Sequence, residues 1–216
     1  MLSPPDLQFL LRAMKATKCC LFLGAGFSGQ ATNKLGGPIP AGWELAEALW
    51  QWLEYDKKHG KYDSQASSLA SLFDIASRKR GDTALTFFLR DRLLVSSYPQ
   101  WYRSVAYPYW HRIYTTNVDD LIEHIYADSG KPRLDIINGN GGAYKERDAA
   151  LVKLQYIKLN GSLTHDSSDS ITFGTRQYAA RSSGYDVWYD HFVRDYSEHA
   201  TILVGTQVNE PLFYRA

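Results

Sequence analysis

Four short stretches of this 216-residue chain place small and polar residues where a buried strand gives way to a turn. They are Gly24-Ala25-Gly26-Phe27-Ser28, Thr115-Thr116-Asn117-Val118-Asp119, Asn160-Gly161-Ser162 and Gly205-Thr206-Gln207-Val208-Asn209. The first follows the apolar run Cys19-Cys20-Leu21-Phe22-Leu23. A buried strand running into a glycine-rich turn can bring backbone N–H groups up to a pyrophosphate, and a helix starting there would favour the negative charge. Each stretch also has a plainer reading. Asn117 and Asp119 are good helix caps, and Asn160-Gly161 and Gly205-Thr206 are ordinary turns. Gly24, Gly26 and Gly29 also fit G-x-G-x-x-G, the dehydrogenase fingerprint. That fingerprint needs an acidic residue closing a second strand about twenty residues on, and Glu44 and Glu47 stand near that distance on a helical pattern instead.

The elements that must position these residues follow from periodicity. Ser3-Pro4-Pro5-Asp6 starts a helix, and Leu7, Leu10, Leu11 and Met14 repeat as the apolar stripe of an amphipathic helix. Gly36-Gly37-Pro38-Ile39-Pro40 breaks the chain, so 30–41 reads as a loop. Helical patterns follow over about 42–55, 64–78 and 82–95. Aromatic residues then crowd 98–110, a pattern that fits the lining of a cofactor pocket but more often packing between helices. Short strands are expected at 113–115, 134–137 and 156–159, helices at about 118–127 and 186–199, and a last buried strand at 201–204 ending in Gly205. Strands alternating with helices predict an α/β fold, a Rossmann-like and mainly parallel sheet with helices on both faces. The reading is one domain over 1–216 with a helical insertion at about 42–110.

Composition excludes several classes. A formal charge of +1 gives no broad electrostatic case for nucleic acid or an anionic membrane. No apolar run reaches transmembrane length, and Arg12, Lys15 and Lys18 interrupt the N-terminal apolar residues. Cys19 and Cys20, the only cysteines, are neighbours on a strand and point to opposite faces, which suits two buried thiols in a cytosolic protein. A structural zinc module of closely spaced cysteines cannot be built, so no metal is expected.

Taken in order, the four stretches resemble the sirtuins, which carry a Gly-Ala-Gly-x-Ser turn, a Thr-Gln-Asn-x-Asp segment, a strand ending in His-Gly and a later Gly-Thr/Ser turn. The resemblance runs from about Cys19 to Phe213, and the Pro38-Ile39-Pro40 loop sits where sirtuins have Gly-Ile-Pro. Thr116 replaces the usual glutamine and the four-cysteine module is missing. The Thr-Thr-Asn-Val-Asp-Asp and Gly-Ser-Leu-Thr-His forms look more like the sirtuin-like domains of bacterial antiphage defence proteins. The resemblance implies that NAD is the substrate, hydrolysed to nicotinamide and ADP-ribose. It also implies catalytic roles at positions 117 and 160. Cofactor contacts are implied for Gly24, Ala25, Gly26, Phe27, Ser28, Pro40, Thr116, Asp119, Gly161, Ser162, Gly205, Thr206 and Asn209. Such enzymes act as homo-oligomers or in larger complexes, and the stop at Ala216 reads as a fragment or a chain completed by a partner.

One departure bears on activity. Asn160 stands where the family has its catalytic histidine, and an amide cannot act as a general base near neutrality. His165 reads as a loop residue, and His111 falls at the far end of its strand. Asn160 fits a weak or conditional hydrolase, a silent module that senses NAD or ADP-ribose, or a substitution introduced to keep the ligand intact.

Overall fold

The computed structural model describes residues 3–130, 133–140, 153–164 and 171–207. At its centre is β1 (Cys19–Leu23), buried along its whole length. β4 (Ile113–Thr115) and β7 (Ala200–Val204) flank it, and β6 (Lys153–Lys158) and β5 (Arg133–Asn138) follow beyond β4. All five strands are parallel, in the order β5-β6-β4-β1-β7.

The period of two along β1 sorts the molecule into two cores. Cys19, Leu21 and Leu23 face one apolar cluster, with Ile113, Tyr156 and residues of α3 (Gly42–Trp52), α5 (Leu69–Arg80), α6 (Asp82–Leu93) and α7 (Leu121–Ser129). Cys20 and Phe22 face the other, with Tyr114, Ile157 and Trp188, Tyr189 and Phe192 of α9 (Val187–Glu198). Helices therefore cover both faces, as the α/β reading requires, and the two cysteines part as expected.

The register fixes where the site lies. Asn138 pairs with Lys158, Lys158 with Thr115, Thr115 with Leu23 and Leu23 with Val204. The five strands end flush in this one row. Each of the four stretches begins within two residues of it.

Several expectations shift. The 30–41 loop contains β2 (Thr32–Asn33), which pairs antiparallel with β3 (Val95–Ser97) outside the main sheet. Asn33 holds this loop, accepting from the amides of Leu35 and Gly37 and donating to the Pro38 carbonyl. The aromatic stretch contains a 3-10 helix at Gln100–Ala106, and the short helices α4 (Tyr55–His59) and α8 (Thr175–Ser182) were not anticipated. The stripe on α1 (Pro4–Lys15) is only half used: Leu10, Ala13 and Met14 pack on the core, while Leu7 and Leu11 are each 48% exposed. The last strand is not buried either: among the described residues β7 is the outermost strand of the sheet, and Leu203 and Val204 are exposed.

A charge is enclosed at the end of β6. Lys158 has no exposed surface, donates to the Asp119 carbonyl and pairs with Glu123 on α7 at 2.7 Å. Burial pushes the Glu123 carboxyl up, against the pull of the Lys158 charge. Removing one partner of such a pair strands the other, which typically costs about 3–5 kcal/mol. Lys158→Met should lose that much in urea unfolding at neutral pH, and adding Glu123→Leu should restore most of it. The deficit of the single variant should shrink on acidification. A buried carboxyl with a raised folded pKa is penalised as pH rises through that pKa and relieved as it is protonated.

Candidate functional site

The first turn is tighter than its sequence suggests. Gly24 is followed by α2 (Ala25–Ser28), a single turn of four residues too short to build a macrodipole. The amides of Gly24 and Gly26 donate to the carbonyls of Val204 and Gly205, and Phe27 donates to the Gly24 carbonyl. The glycines are needed for this approach. A Cβ on Gly24 would stand 2.6 Å from the Gly205 oxygen, and one on Gly26 would stand 3.1 Å from it. Gly205 is the tightest position: its φ is +65°, and a Cβ there would meet the Phe27 nitrogen at 2.1 Å. What the glycines admit in this structure is the strand-end backbone of β7. Ala25 and Gly26 form the exposed part of the turn.

Three side chains then lock this turn to the end of β4. Asn117 donates through Nδ2 to the Gly24 carbonyl and to Ser28 Oγ, both at 3.0 Å. Ser28 donates to Asp119 at 2.7 Å, and the other Asp119 oxygen accepts from the Leu121 amide at 3.0 Å. All three residues are buried. Neither Asn117 nor Asp119 occupies the N-cap of α7, which is Asp120. Burial raises the Asp119 carboxyl, opposed first by the Lys158 charge and then by the Ser28 hydrogen bond. With Nδ2 committed to protein acceptors, Oδ1 is the Asn117 atom that remains for a ligand. Thr116 beside it is half-buried, its amide donating to the Leu23 carbonyl.

Asn160 is 2% exposed and held on both sides. Tyr189 on α9 donates to its Oδ1 at 2.9 Å, and its Nδ2 donates to the Tyr178 hydroxyl on α8 at 3.3 Å. Gly161, with φ +89°, turns the chain. The Ser162 hydroxyl bonds Thr164 at 2.8 Å, and the Leu163 amide donates to the Val118 carbonyl, joining this loop to the one after β4. Arg181 closes the group from α8, donating to the carbonyls of Leu159 and Gly139 and to Asp186.

The stretches around Gly24, Asn117 and Gly205 are thus bonded or packed to one another, and the Asn160 loop is joined to them by backbone. Pro40 lies at the end of the loop that leads from Ser28 to α3, one residue before the helix N-cap Ala41. Thr206 packs against Gly24, while Asn209 and His165 lie outside the described residues. The Glu44 carboxylate accepts from the Ala41 amide at 2.7 Å, so it caps α3 and is not the ribose-binding acid of a dehydrogenase. A polar cavity of about 510 Å³ bordered by Ser96, Tyr98, Arg103 and His124 shares no residue with these strand ends.

Lys158, Tyr178, Tyr189 and Arg181 were missed in the sequence. A lysine set between Ile157 and Leu159 at a strand end was a legible sign of a buried carboxylate partner. The tyrosines carried no such sign, since nothing in α8 or α9 marks which ring meets position 160.

Gly205→Ala should cost about 1–3 kcal/mol, because it adds both left-handed strain and a backbone collision. Thermal unfolding would measure it, and Gly36→Ala is the control: its φ is +82°, but nothing lies within 4 Å of the added Cβ.

Among known proteins, no curated relative matches the chain. One family model, described as a SIR2-like domain, matches residues 111–215. That segment holds Asn117, Asp119, Asn160 and Gly205 but not the Gly24–Ser28 turn, which the fold delivers to them. The match supports a sirtuin-like domain over residues 111–215.

Proposed function

We propose that this protein is a sirtuin-like NAD glycohydrolase that releases nicotinamide and ADP-ribose. The observation that carries the reading is the bonded group Gly24–Ser28–Asn117–Asp119, which unites the first turn with the matched region at the flush edge of the sheet. Ligands of open α/β sheets bind beyond the carboxyl ends of the strands. In this reading the exposed Ala25-Gly26 backbone and the Gly205-Thr206 turn flank the diphosphate and adenosine ribose. Asn117 Oδ1 orients water and the nicotinamide ribose. Asp119 anchors the site by fixing Ser28 and, through it, Asn117.

The chemistry tolerates a weak base. Breaking the nicotinamide bond expels a neutral pyridine from a cationic one, so no acid need protonate the leaving group. The sugar develops oxocarbenium character, as in glycoside hydrolysis. Water adding to that cation must still lose a proton, and Asn160 cannot take it. Absence of a general base typically slows such a step by ~10²–10⁴-fold. Slow turnover is therefore part of the proposal, as is a role in antiphage defence through NAD depletion, within an oligomer or larger complex.

The pinned Asn160 amide favours a second reading, a silent module that binds NAD or ADP-ribose as a sensor. Nicotinamide release and ADP-ribose binding on the same preparations separate the two. Asn160→His should raise nicotinamide release by roughly 10²–10⁴-fold over the parent. Asn117→Ala in the Asn160→His background should abolish it. Binding of ADP-ribose without release from either protein would favour the sensor, and no binding would overturn both readings.

A further inference from the structure

At the opposite end of the sheet, where β4 and β7 begin, a second group of side chains converges. His111 precedes β4, its amide donating to the Cys19 carbonyl. Asp195 lies in the last turn of α9 and His199 is that helix's C-cap, its amide donating to the Asp195 carbonyl. The four-residue spacing sets Asp195 and His199 on one side of the helix end. The rings of His111 and His199 lie 4.2 Å apart between centroids, tilted by 46°. One ligand atom from each of His111, Asp195 and His199 lies within 4.8 Å of the other two. His199 Nδ1 is buried and makes no hydrogen bond. A buried polar atom in that state calls for a partner, such as a water or an ion.

We propose that His111, Asp195 and His199 form a transition-metal site of the zinc class, which pins α9 to the starts of β4 and β7. Two imidazoles and a carboxylate suit zinc, nickel or copper rather than magnesium or calcium, which prefer oxygen ligands. Ligand atoms about 2 Å from a tetrahedral ion stand roughly 3.3 Å apart, so modest side-chain rotation closes the present spacing.

Arg112 is the competing group. Its guanidinium holds both Asp195 oxygens at 2.7 and 2.9 Å, reaches Gln155 at 2.8 Å and lies 3.2 Å from His111 Nε2. Tyr114 donates to Asp195 Oδ2 at 2.7 Å. A carboxylate offers about four lone-pair sites, and these contacts leave one on Oδ1. The metal exchanges the long Arg112–His111 contact for a bond to the imidazole. Arg112 keeps Asp195 and Gln155 and acts as the outer partner that orients the ligating carboxylate. Burial alone would raise the Asp195 carboxyl, but the hydrogen bonds of Arg112 and Tyr114 hold it below its ordinary value. Cys20 lies 4.0 Å from Asp195, and burial pushes its thiol up to about 12, which keeps it protonated. Three protein ligands and water complete the coordination.

The test is zinc titration of the full chain by calorimetry, with thermal unfolding in zinc and in chelator. One zinc per chain and a melting temperature several degrees higher in zinc are expected. His199→Ala and His111→Ala should each weaken binding at least tenfold and remove the shift, with the far-ultraviolet spectrum retained. If either variant fails to fold, cobalt loading of the parent decides. Visible tetrahedral or five-coordinate bands without a thiolate charge-transfer band support the site. A thiolate band, zinc binding unchanged in both variants, or no stoichiometric metal in the parent would overturn it. None of these readouts depends on nicotinamide release.

Discussion

Five parallel strands that stop in one row leave their last carbonyl oxygens at an edge where they need donors, and at β1, β4, β6 and β7 the molecule meets this by bonding the strand end to a neighbouring loop. The Leu23 oxygen accepts from the Thr115 hydroxyl and the Thr116 amide, the Thr115 oxygen from Leu159, the Lys158 oxygen from Gly139 and Gly161, and the Val204 oxygen from Gly24. Buried backbone acceptors without partners are costly, so these bonds are obligatory. Their consequence is positional. Asn117, Asn160, Gly24 and Gly205 follow directly from groups held by the sheet, and the loops carrying them inherit its rigidity.

Charge is handled by the same enclosure at both ends. At the carboxyl edge, Lys158 sits among Glu123, the Asp119 carbonyl and, further off, the Tyr156 ring. At the amino edge, Arg112 is matched by Asp195 and Gln155, and Tyr114 donates to the same Asp195 carboxylate. Neither cluster is strong evidence for net stability, since desolvation offsets most of the attraction. What they supply is uniqueness. A sliding of α7 or α9 along the sheet would separate a buried cation from the carboxylate it is paired with.

Much of this was legible in the sequence because it depends on local pattern. The run Cys19–Leu23 has no polar residue and reads as a central strand, and Ile113–Thr115 was placed to the residue. The four polar stretches were legible as strand ends because each follows an apolar run. What stayed hidden depends on contacts between distant segments. Edge position made β7 exposed although its residues Ile202, Leu203 and Val204 read as core. The glycines at 24 and 26 were read as room for phosphate, whereas the approaching group is the Gly205 backbone, some 180 positions away in the chain. The meeting of His111 with Asp195 and His199 likewise has no local signature.

Position 160 shows what a single substitution can leave intact. Asn160 is not a gap in the structure: its oxygen accepts from Tyr189 and its nitrogen donates to Tyr178. A neutral imidazole also carries one acceptor and one donor nitrogen, so the same two hydroxyls offer complementary partners to either side chain. The Leu159 carbonyl stays bonded to Arg181 and the Asn160 carbonyl to the Thr172 amide, whichever side chain is present. The difference between asparagine and histidine at this point is therefore one of proton affinity more than of scaffold. The proposed hydrolase and the proposed sensor therefore differ here without any rebuilding of the sheet edge, and for that reason residue 160, rather than any of the glycines, is where the two functional readings divide.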